Sequence, residues 1–473
     1  MITLIRRNYF LAEAFGHGVP PNGTAFKLSL FNFVVDVADG QIVVYNTLSN
    51  SMILMDADEW RGLRYSTGEF VVTLSERDRN LLELCGIVLP ESVDEMELYK
   101  ERFEFIQAIA GLRKGVVRYN IYTTTHCNAR CFYCFEEGIH REHMSLATAD
   151  KVANYVSRTY SRDSDEIYFR WFGGEPLVNP RVITRICERA KECGIRYYSS
   201  TSTNGLLLDA QMLKLGQEVW NLKKVRFSFD GVGSVHNSRK NFSGCNGDPY
   251  EITMLNLDRA INSGIRVVVR LTIDLANAES IGQLSDLLIG RYAGSHNLTL
   301  YSKCIFSEVS KSKYQRFPEA VKELLKINAN LTEKLLMSGL YDCERLAPAG
   351  LRTYYCAAND PHKVVISPNG ALCSCECNCV RTEFWGDVES GITDQERYGK
   401  WHSPPAIDGS KCSKCPMLPV CTPYVTTCPS DYFSCEDRFF TTMRLFVREN
   451  YRRFIANEAL LPDSDTFDKY MIS

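Results

Sequence analysis

Three cysteines lie within eight residues of one another in the segment THCNARCFYC at 125–134. Cys127, Cys131 and Cys134 follow the spacing C-x3-C-x2-C. Three thiolates on one loop can bind three irons of a [4Fe-4S] cluster, and without a fourth cysteine nearby they leave one iron open for reaction. Zinc is the alternative, but a structural zinc site needs four ligands and usually starts from a C-x2-4-C pair. The spacing therefore favours an iron-sulfur cluster with an open iron.

Regular elements must position this loop. Residues 115–125 are rich in β-branched and aromatic side chains, which predicts a strand that delivers the cysteines at its carboxyl end. Helical patterns alternate with further strand-like segments downstream. These segments are 166–176, 195–205, 224–231, 265–274 and 297–306. Repeated β-α units predict an α/β fold with a partial (β/α)6 TIM-like barrel, whose loops at the strand carboxyl ends carry function.

Length and composition limit the classes of function. A chain of 473 residues is expected to hold two or three domains. A net charge of -3 gives no reason to expect nucleic acid or an anionic membrane as partner, and no apolar run is long enough to span a membrane. The amino-terminal residues do not form a secretory signal, so a cytoplasmic location is expected. In a reducing compartment, clustered cysteines more often bind metal than form disulfides, and this chain has 19 cysteines.

Four motifs, in order on successive predicted strands, resemble the radical S-adenosylmethionine (radical SAM) enzymes. They are CNARCFYC at 127–134, GGEP at 173–176, TNG at 203–205 and SFDG at 228–231. The resemblance covers roughly residues 115–310. It implies that the three loop cysteines hold a [4Fe-4S] cluster whose open iron chelates S-adenosylmethionine. Reductive cleavage then yields a 5'-deoxyadenosyl radical that abstracts a hydrogen atom, and the protein supplies positioning and electrostatics.

The resemblance also implies cofactor contacts for individual residues. Glu175 offers an acceptor for the methionine ammonium, Gly173 and Gly174 allow close backbone approach, and Tyr133 takes the place of an aromatic residue near the adenine. Arg270 lies in the apolar run VVVRLTID and is costly to bury unless paired, so a cofactor carboxylate is its expected partner. Two further polar contacts are expected from Ser228 and Asp230, although Asp-Gly is also a good turn.

A second group of cysteines resembles the SPASM extension, which carries two auxiliary [4Fe-4S] clusters. The matching positions are Cys356, Gly370, Cys375, Cys412, Cys415, Cys421, Cys428 and Cys435. The step from Cys421 to Cys428 spans six residues where the family has three, so the division of Cys428 and Cys435 between the clusters stays open. A zinc site is the alternative for 412–435.

The family's interleaving implies a ligand set for each auxiliary cluster. The outer cluster takes Cys412, Cys415, Cys421 and Cys435. The inner cluster takes Cys356, Cys375 and Cys428, and its fourth ligand stays open between a substrate thiolate and the cysteines 343, 373, 377 and 379. If the run CSCECNC at 373–379 is a strand, its four cysteines lie on one face.

The amino-terminal region alternates apolar and polar residues at 31–55 around turns at Asp39-Gly40 and near Asn46, which predicts antiparallel strands. Residues 75–107 predict a helix, a turn at Gly86, a short strand and a second helix. This order resembles the winged-helix domain that captures leader peptides; a cap on the barrel is the alternative. The expected divisions are 1–110 recognition domain, 111–310 barrel, 311–342 helical bridge, 343–440 SPASM domain and 441–473 helical tail.

Together these features resemble a radical SAM/SPASM maturase of the thioether-forming (sactisynthase-like) group, acting on a ribosomally made precursor peptide. The leader is expected to add to a sheet edge, and a flavodoxin or ferredoxin is the expected electron donor. Carbon-carbon or carbon-oxygen crosslinking is a close alternative. The same scaffold forms formylglycine in anaerobic sulfatase-maturating enzymes, in which an Asp base adjoins the inner-cluster cysteine; here Glu376 adjoins Cys375 and is the candidate base. A non-enzymatic iron-sulfur carrier or a zinc-binding protein is disfavoured, because neither needs a cofactor-binding barrel.

Overall fold

The structure is a computed structural model, and it describes most of the chain. The described residues are 2–7, 25–65, 71, 73–112, 114–305, 318–346, 357–379, 382–402, 411–421 and 440–461. Three expected auxiliary-cluster ligands lie outside these ranges: Cys356, Cys428 and Cys435.

The amino-terminal part forms a small antiparallel sheet with helices. Its strands are β1 (Thr3–Arg6), β2 (Phe26–Leu28), β3 (Asn32–Asp36), β4 (Gln41–Asn46), β5 (Ser51–Asp56) and β6 (Val88–Pro90). Its helices are α1 (Ala57–Tyr65), α2 (Glu76–Leu84) and α3 (Glu95–Leu112). The sheet order is β1-β5-β4-β3, while β2 pairs with β6. The predicted turn is confirmed, since Asp39 and Gly40 both have positive φ, as a tight hairpin requires. The predicted order of helix, strand and helix is also confirmed.

The central part is a parallel sheet with helices on one side. Its strands are β7 (Arg118–Thr124), β8 (Ile167–Gly173), β9 (Tyr197–Thr203), β10 (Leu222–Phe229), β11 (Arg266–Ile273) and β12 (Leu298–Cys304). Its helices are α4 (Leu146–Thr159), α5 (Pro180–Glu192), α6 (Ala210–Glu218), α7 (Gly233–Lys240), α8 (Pro249–Asn262) and α9 (Ala278–Tyr292). Neighbouring strands pair in parallel from β7 to β12. The six predicted strands and the partial barrel are confirmed.

The carboxyl-terminal part extends this sheet. Helix α10 (Pro318–Met337) leads to β13 (Lys363–Ile366), which pairs in parallel with β7 on one side and antiparallel with β14 (Ala371–Cys373) on the other. The remaining elements are β15 (Gly386–Asp387), β16 (Gly391–Ile392), α11 (Glu376–Cys379), α12 (Gln395–His402), α13 (Leu418–Cys421) and α14 (Thr441–Ile455). The pairing of β13 with β7 was not predicted, because it joins segments about 240 residues apart whose sequences show no common signal.

The run 373–379 is not one strand. Strand β14 ends at Cys373, and the last four residues of the run form the helical turn α11. The expectation of four cysteines on one strand face is therefore wrong. The amide of Cys379 bonds the carbonyl of Cys375 at 3.1 Å, as in a helix, so spacing by two no longer places these side chains on a common face.

The two faces of the barrel sheet differ in chemistry. Alternate strand residues such as Phe169, Trp171 and Phe227 are fully buried against the surrounding helices. The residues between them, including Arg170 and Arg226, line a cavity inside the barrel. The period of two thus separates an apolar outer layer from a polar interior.

The helix α14 packs on the amino-terminal sheet. Met443 and Phe446 are buried there, and the Phe446 ring lies edge-on to Tyr45 with centroids 5.8 Å apart. The apolar stripe of this helix is thus core packing. Among the described residues, no helix combines the length and apolarity that crossing a bilayer demands.

Candidate active site

The cysteine loop begins where β7 ends and is anchored on several sides. The amide of His126 donates to Thr124 Oγ1 at 2.9 Å, and the amide of Thr125 donates to the carbonyl of Glu142 at 2.9 Å. Farther along, the amide of Arg130 donates to the carbonyl of Lys240 at 2.8 Å. These bonds fix a loop that has no regular secondary structure, so the three cysteines have defined positions.

Gly173 and Gly174 lie against the strand that carries this loop. A Cβ at Gly173 would lie 2.1 Å from the carbonyl oxygen of Thr124, and one at Gly174 would lie 2.4 Å from that of His126. Gly173 also has φ +128°. Glycine is therefore required so that β8 can approach the start of the cysteine loop. The approach that these glycines allow here is between two segments of the chain, and their contact with the cofactor stays a prediction.

Glu175 joins two of the sequence motifs. Its buried carboxylate accepts bonds from Thr203 Oγ1 at 2.9 Å, the Asn204 amide at 2.8 Å and the Leu177 amide at 3.2 Å. Burial raises the pKa of this carboxyl to about 7, although the bonds from Asn204, Thr203 and Leu177 favour the charged form. Glu175 is absent from the cavity lining. Its carboxylate oxygens connect the segments that follow β8 and β9. Its contact with a methionine ammonium stays a prediction.

The three loop cysteines line one cavity of about 430 Å³ inside the barrel mouth. Seven cationic side chains share this lining with two carboxylates, those of Glu136 and Glu137. The cations are Arg130, Arg141, Arg170, Arg226, Lys240, Arg270 and Lys303. Within the described ranges, no three His, Cys, Asp or Glu side chains converge closely enough to hold a single metal ion. A [4Fe-4S] cluster does not require this convergence, because each cysteine ligand binds a different iron.

A buried ion pair closes the cavity beside the cysteines. Lys240 Nζ lies 3.1 Å from Asp230 Oδ1 and donates to Tyr133 Oη at 3.0 Å and Ser228 Oγ at 2.9 Å. Tyr133 Oη in turn donates to Asp230 Oδ2 at 2.5 Å. Burial opposes ionisation of Asp230, but Lys240 and Tyr133 outweigh it and lower the pKa of this carboxyl.

This network changes the reading of three predicted cofactor contacts. Tyr133 and Ser228 line the cavity, whereas Asp230 lies outside the lining and is fully buried. Its carboxylate is occupied by Lys240 and Tyr133, so the described role of Asp230 is to hold the tyrosine. Sequence reasoning missed Lys240, because a lysine near the end of a helix reads as a solvated group.

Two arginines in the cavity lining have no carboxylate partner among the residues that the structure describes. Arg270 and Arg226 both line the cavity, and the Nε of each is buried with no hydrogen-bond partner in the described part of the chain. The prediction placed Arg270 here and missed Arg226. The signal that identified Arg270, a cation within an apolar run, was also present at Arg226 in KVRFSF and at Arg170 in IYFRWF.

Glu376 lies outside the cavity lining and is ion-paired. Its carboxylate is 3.1 Å from Arg170 Nη1 and 3.5 Å from Lys363 Nζ, and it accepts a bond from Asn120 Nδ2. Burial opposes ionisation, but Lys363 and Arg170 lower the pKa of Glu376 to about 2. A carboxylate held ionised in this way is a weak base, and the pairs give it a structural role between α11 and the barrel. Its catalytic role stays a prediction.

The described cysteines of the carboxyl-terminal region fall into two places. Cys412, Cys415 and Cys421 lie in the turn 411–421, whose apolar residues pack on the amino-terminal sheet and α3. The Cys415 amide donates to the Cys412 carbonyl at 3.1 Å, so this C-x2-C pair forms a tight turn. Cys373 and Cys379 instead pack with Tyr122 beside the barrel. A hydrogen bond with the Cys377 thiol, together with burial, raises the pKa of the Cys375 thiol. Cys343 lies elsewhere, with its Sγ 3.8 Å from Arg453 Nη2.

Comparison with known proteins identifies the central domain. Residues 121–288 match the family model described as the Radical SAM superfamily. The chain contains a radical SAM domain. Such a domain implies S-adenosylmethionine and one [4Fe-4S] cluster, and at this level the predicted enzyme class is confirmed.

Relatives and solved structures agree with the radical SAM domain. The chain is 27% identical over 209 residues to the Fe-coproporphyrin III synthase of Methanosarcina barkeri, covering 43% of this chain and 48% of that protein. It is 22% identical over 367 residues to the radical SAM cyclopropyl synthase TigE of Paramaledivibacter caminithermalis, covering 71% and 73%. The chain thus spans about half of the first relative. Native anSMEcpe with bound AdoMet has a similar fold, with TM-score 0.56, 15% identity and coverage of 72% of this chain and 98% of that one. The complex with AdoMet and the Cp18Cys peptide gives TM-score 0.54 at the same identity and coverages.

The residues of this domain fit the implied cluster. Three thiols from one loop face one cavity, and a [4Fe-4S] cluster with three thiolate ligands carries net negative charge. The excess of cations in the lining suits such a group electrostatically. Burial raises the pKa of the Cys127 thiol to about 12 and that of Cys134 to about 11 in the metal-free protein, so metal binding must release protons here.

Proposed function

We propose that the protein is a radical SAM maturase that modifies a ribosomally synthesised peptide and joins a cysteine sulfur to a carbon atom. The observation that carries this proposal is the cavity inside the barrel, which combines three loop thiols with a polar, cation-rich wall large enough for a substrate segment. The fold shared with anSMEcpe supports a peptide substrate, since that protein has been solved with a bound peptide. The cysteine-rich carboxyl-terminal region supports auxiliary clusters.

Each part of the cavity wall has a proposed task. The bound cluster and S-adenosylmethionine supply a carbon radical that removes a hydrogen atom from the substrate. Cys127, Cys131 and Cys134 hold the cluster, and Arg270 binds the cofactor carboxylate. The pair of Lys240 and Asp230 fixes Tyr133 at the wall, where its ring is available to the adenine. Because Tyr133 is held by buried bonds, it is positioned before substrate binds.

The amino-terminal sheet is the proposed leader site. Strands β1 and β3 form the two edges of its four-stranded order. An edge strand has backbone donors and acceptors that an extended peptide can pair with. We therefore assign leader binding to an edge of this sheet and modification of the following segment to the barrel.

Thioether formation assigns a task to the carboxyl-terminal cysteines. Joining a thiol to a C–H carbon removes two hydrogens: one leaves as an atom to the adenosyl radical, and the other leaves as a proton. An auxiliary cluster would accept the remaining electron. We propose Cys412, Cys415, Cys421 and Cys435 as the residues that would hold one such cluster, and Cys356, Cys375 and Cys428 with one further ligand as those that would hold the other. A flavodoxin or ferredoxin is the proposed source of the electron that starts the reaction.

Carbon-carbon bond formation is the second candidate. The specific observation is the similarity to a radical SAM cyclopropyl synthase over 71% of this chain. Thioether formation consumes one thiol of the substrate peptide. Carbon-carbon bond formation leaves every thiol free for alkylation.

The experiment combines metal analysis with product analysis. Anaerobic reconstitution is expected to give about twelve irons in the intact protein and about eight in a Cys127/Cys131/Cys134→Ala variant. Incubation with a precursor peptide, S-adenosylmethionine and reductant is expected to lower the peptide mass by two hydrogens and to protect one cysteine from iodoacetamide. About four irons with stoichiometric zinc would refute the auxiliary clusters, and an unprotected cysteine in the crosslinked product would favour the second candidate.

A further inference from the structure

The cavity wall holds more cations than the single carboxylate of the proposed cofactor can pair with. Of the seven cations in the cavity lining, Lys240 is paired with Asp230, Arg170 is paired with Glu376, and Lys303 lies beside the Cys304 thiol at the end of β12. Arg130 and Arg141 donate to backbone carbonyls of the cysteine loop. Arg226 and Arg270 have no carboxylate partner within the described ranges. S-adenosylmethionine carries a single carboxylate, so one of these two arginines is left for another anion.

Arg226 is the one left, because it lies deeper in the barrel. It shares the inner face of β10 with Ser228 but precedes it by two residues, which places it about 6–7 Å farther from the carboxyl end of the strands. Arg270 is paired in register with Ser228, level with the buried Lys240 network. The cofactor carboxylate at the mouth is therefore within reach of Arg270, and Arg226 faces the space beyond it.

The surroundings of Arg226 suit an anion. Burial is the main cause that lowers the pKa of Arg226, and Arg170 and Arg345 add to it while Tyr301 and Tyr168 oppose it, which leaves a pKa of about 10. Tyr301 and Tyr168 lie near the same guanidinium, outside the cavity lining. Arg345 stacks on the Tyr301 ring at 3.4 Å from its centroid. A guanidinium kept in a wall with other cations is costly unless an anion joins it, because charges without partners lose hydration.

We propose that Arg226 binds a carboxylate of the substrate inside the barrel. A guanidinium forms two parallel bonds to a carboxylate, which fixes orientation as well as position. The inference rests on the proposed function and names a property of its substrate: the segment to be modified carries an acidic side chain, or the chain-terminal carboxylate, next to the reacting carbon. Arg226 is then a residue that determines specificity and holds the substrate in register for hydrogen abstraction.

The test measures binding without turnover. The full-length reconstituted protein is saturated with S-adenosylmethionine in the absence of reductant, so that Arg270 is occupied. Three blocked or free peptides serve as probes: acetyl-Ala-Glu-Ala-amide, acetyl-Ala-Gln-Ala-amide and acetyl-Ala-Ala-Ala with a free carboxylate. Dissociation constants are measured by saturation-transfer NMR for the native chain, Arg226→Gln, Arg226→Lys and the control Arg185→Gln. Arg185 pairs with Asp150 on the protein surface, away from the cavity lining.

The native chain is expected to bind the Glu probe about tenfold more tightly than the Gln probe, as one charge-assisted bidentate pair gives. Arg226→Gln is expected to remove this preference, Arg226→Lys to reduce it, and Arg185→Gln to leave it intact. The free-carboxylate probe separates the sources: tighter binding of that probe assigns Arg226 to a chain terminus, and tighter binding of the Glu probe assigns it to a side chain. The proposal is overturned if the native chain prefers neither carboxylate probe over the Gln probe, or if Arg226→Gln keeps the native preference.

Two controls keep the result interpretable. If Arg226→Gln does not fold by circular dichroism, Arg226→Lys alone decides, and an undiminished preference in that variant overturns the proposal. Inorganic pyrophosphate is a further probe. If it binds more tightly than both carboxylate probes and its binding depends on Arg226, the proposal is overturned in favour of a phosphate ligand. Because the readout requires no reaction, failure of peptide modification with an intact Glu preference refutes the proposed function alone.

Discussion

The two cysteine-rich regions of this chain are built in different ways. In the loop at 127–134, one strand delivers all three thiols to one cavity, and β8 fixes the loop through glycines that touch it. In the carboxyl-terminal region, the described cysteines are split between a turn packed on the amino-terminal sheet and a helical turn beside the barrel. A short spacing in one loop therefore specifies a site locally, whereas ligands from distant turns need the tertiary fold to bring them together.

Removing the loop thiols gives the largest expected effect and tests the first half of this comparison. Cys127/Cys131/Cys134→Ala is expected to abolish formation of 5'-deoxyadenosine from S-adenosylmethionine under reducing conditions, because no other described group replaces three thiolates on the cluster. The product is measured by chromatography. Cys193→Ala, at an exposed position on the outer helices, is the matched control and should retain the native rate. Cleavage by the triple variant would place the reactive cluster elsewhere.

Removing the other group of thiols sharpens the contrast. Cys412/Cys415/Cys421→Ser is expected to retain cleavage of S-adenosylmethionine but to lose crosslinked peptide, since the electron from the substrate radical has no acceptor. The iron content is expected to fall by about four. Both products are quantified in one reaction mixture. Loss of 5'-deoxyadenosine together with peptide would mean that this turn supports the barrel itself.

The sequence allowed prediction of the fold where local pattern decides. The six barrel strands, the Asp39-Gly40 hairpin and the helix-strand-helix segment after it follow from alternation and turn chemistry. The pairing of β13 with β7 and the helical turn after Cys373 depend on contacts between distant segments, so alternation misled at CSCECNC. In the site, motif spacing located the cysteines and glycines. It could not locate Lys240, because burial of a helical lysine depends on an aspartate ten residues earlier that the fold turns toward it.

The buried pair of Lys240 and Asp230 tests how rigidly the first region is held. Lys240→Met leaves Asp230 charged and unpaired in the interior, and is expected to destabilise the fold by about 3–5 kcal/mol. Denaturant unfolding at neutral pH measures this. Adding Asp230→Asn is expected to recover a large part of the loss, because the uncompensated charge is then gone. A double variant as unstable as Lys240→Met would show that packing of the lysine stem, not charge, is what matters.

The contact between β8 and the cysteine loop predicts a strong position effect among glycines. Gly173→Ala puts a Cβ against the carbonyl oxygen of Thr124 and is expected to cost about 3 kcal/mol, since two backbones must separate. Gly194 also has a positive φ, of +69°, but open space around it, so about 1 kcal/mol is expected for Gly194→Ala. The melting temperatures of both variants, before cluster loading, provide the comparison. Equal losses would mean that φ alone sets the cost at Gly173.

Glu376 links the two regions and gives the smallest expected effect. Its carboxylate on α11 pairs with Arg170 in the barrel and Lys363 on β13, and its folded pKa of about 2 lies below the ordinary value of about 4.3. The depressed pKa means that the pairs stabilise the fold at any pH above the ordinary value and lose this contribution as pH falls from about 5 toward 2. Glu376→Gln is therefore expected to cost about 2 kcal/mol at pH 7 and progressively less below pH 5. Urea unfolding across this range compares it with Glu389→Gln, which removes only the exposed pair with Lys151. A loss that stays constant with pH would assign Glu376 a packing role, and retained crosslinking in the variant would exclude it as the base.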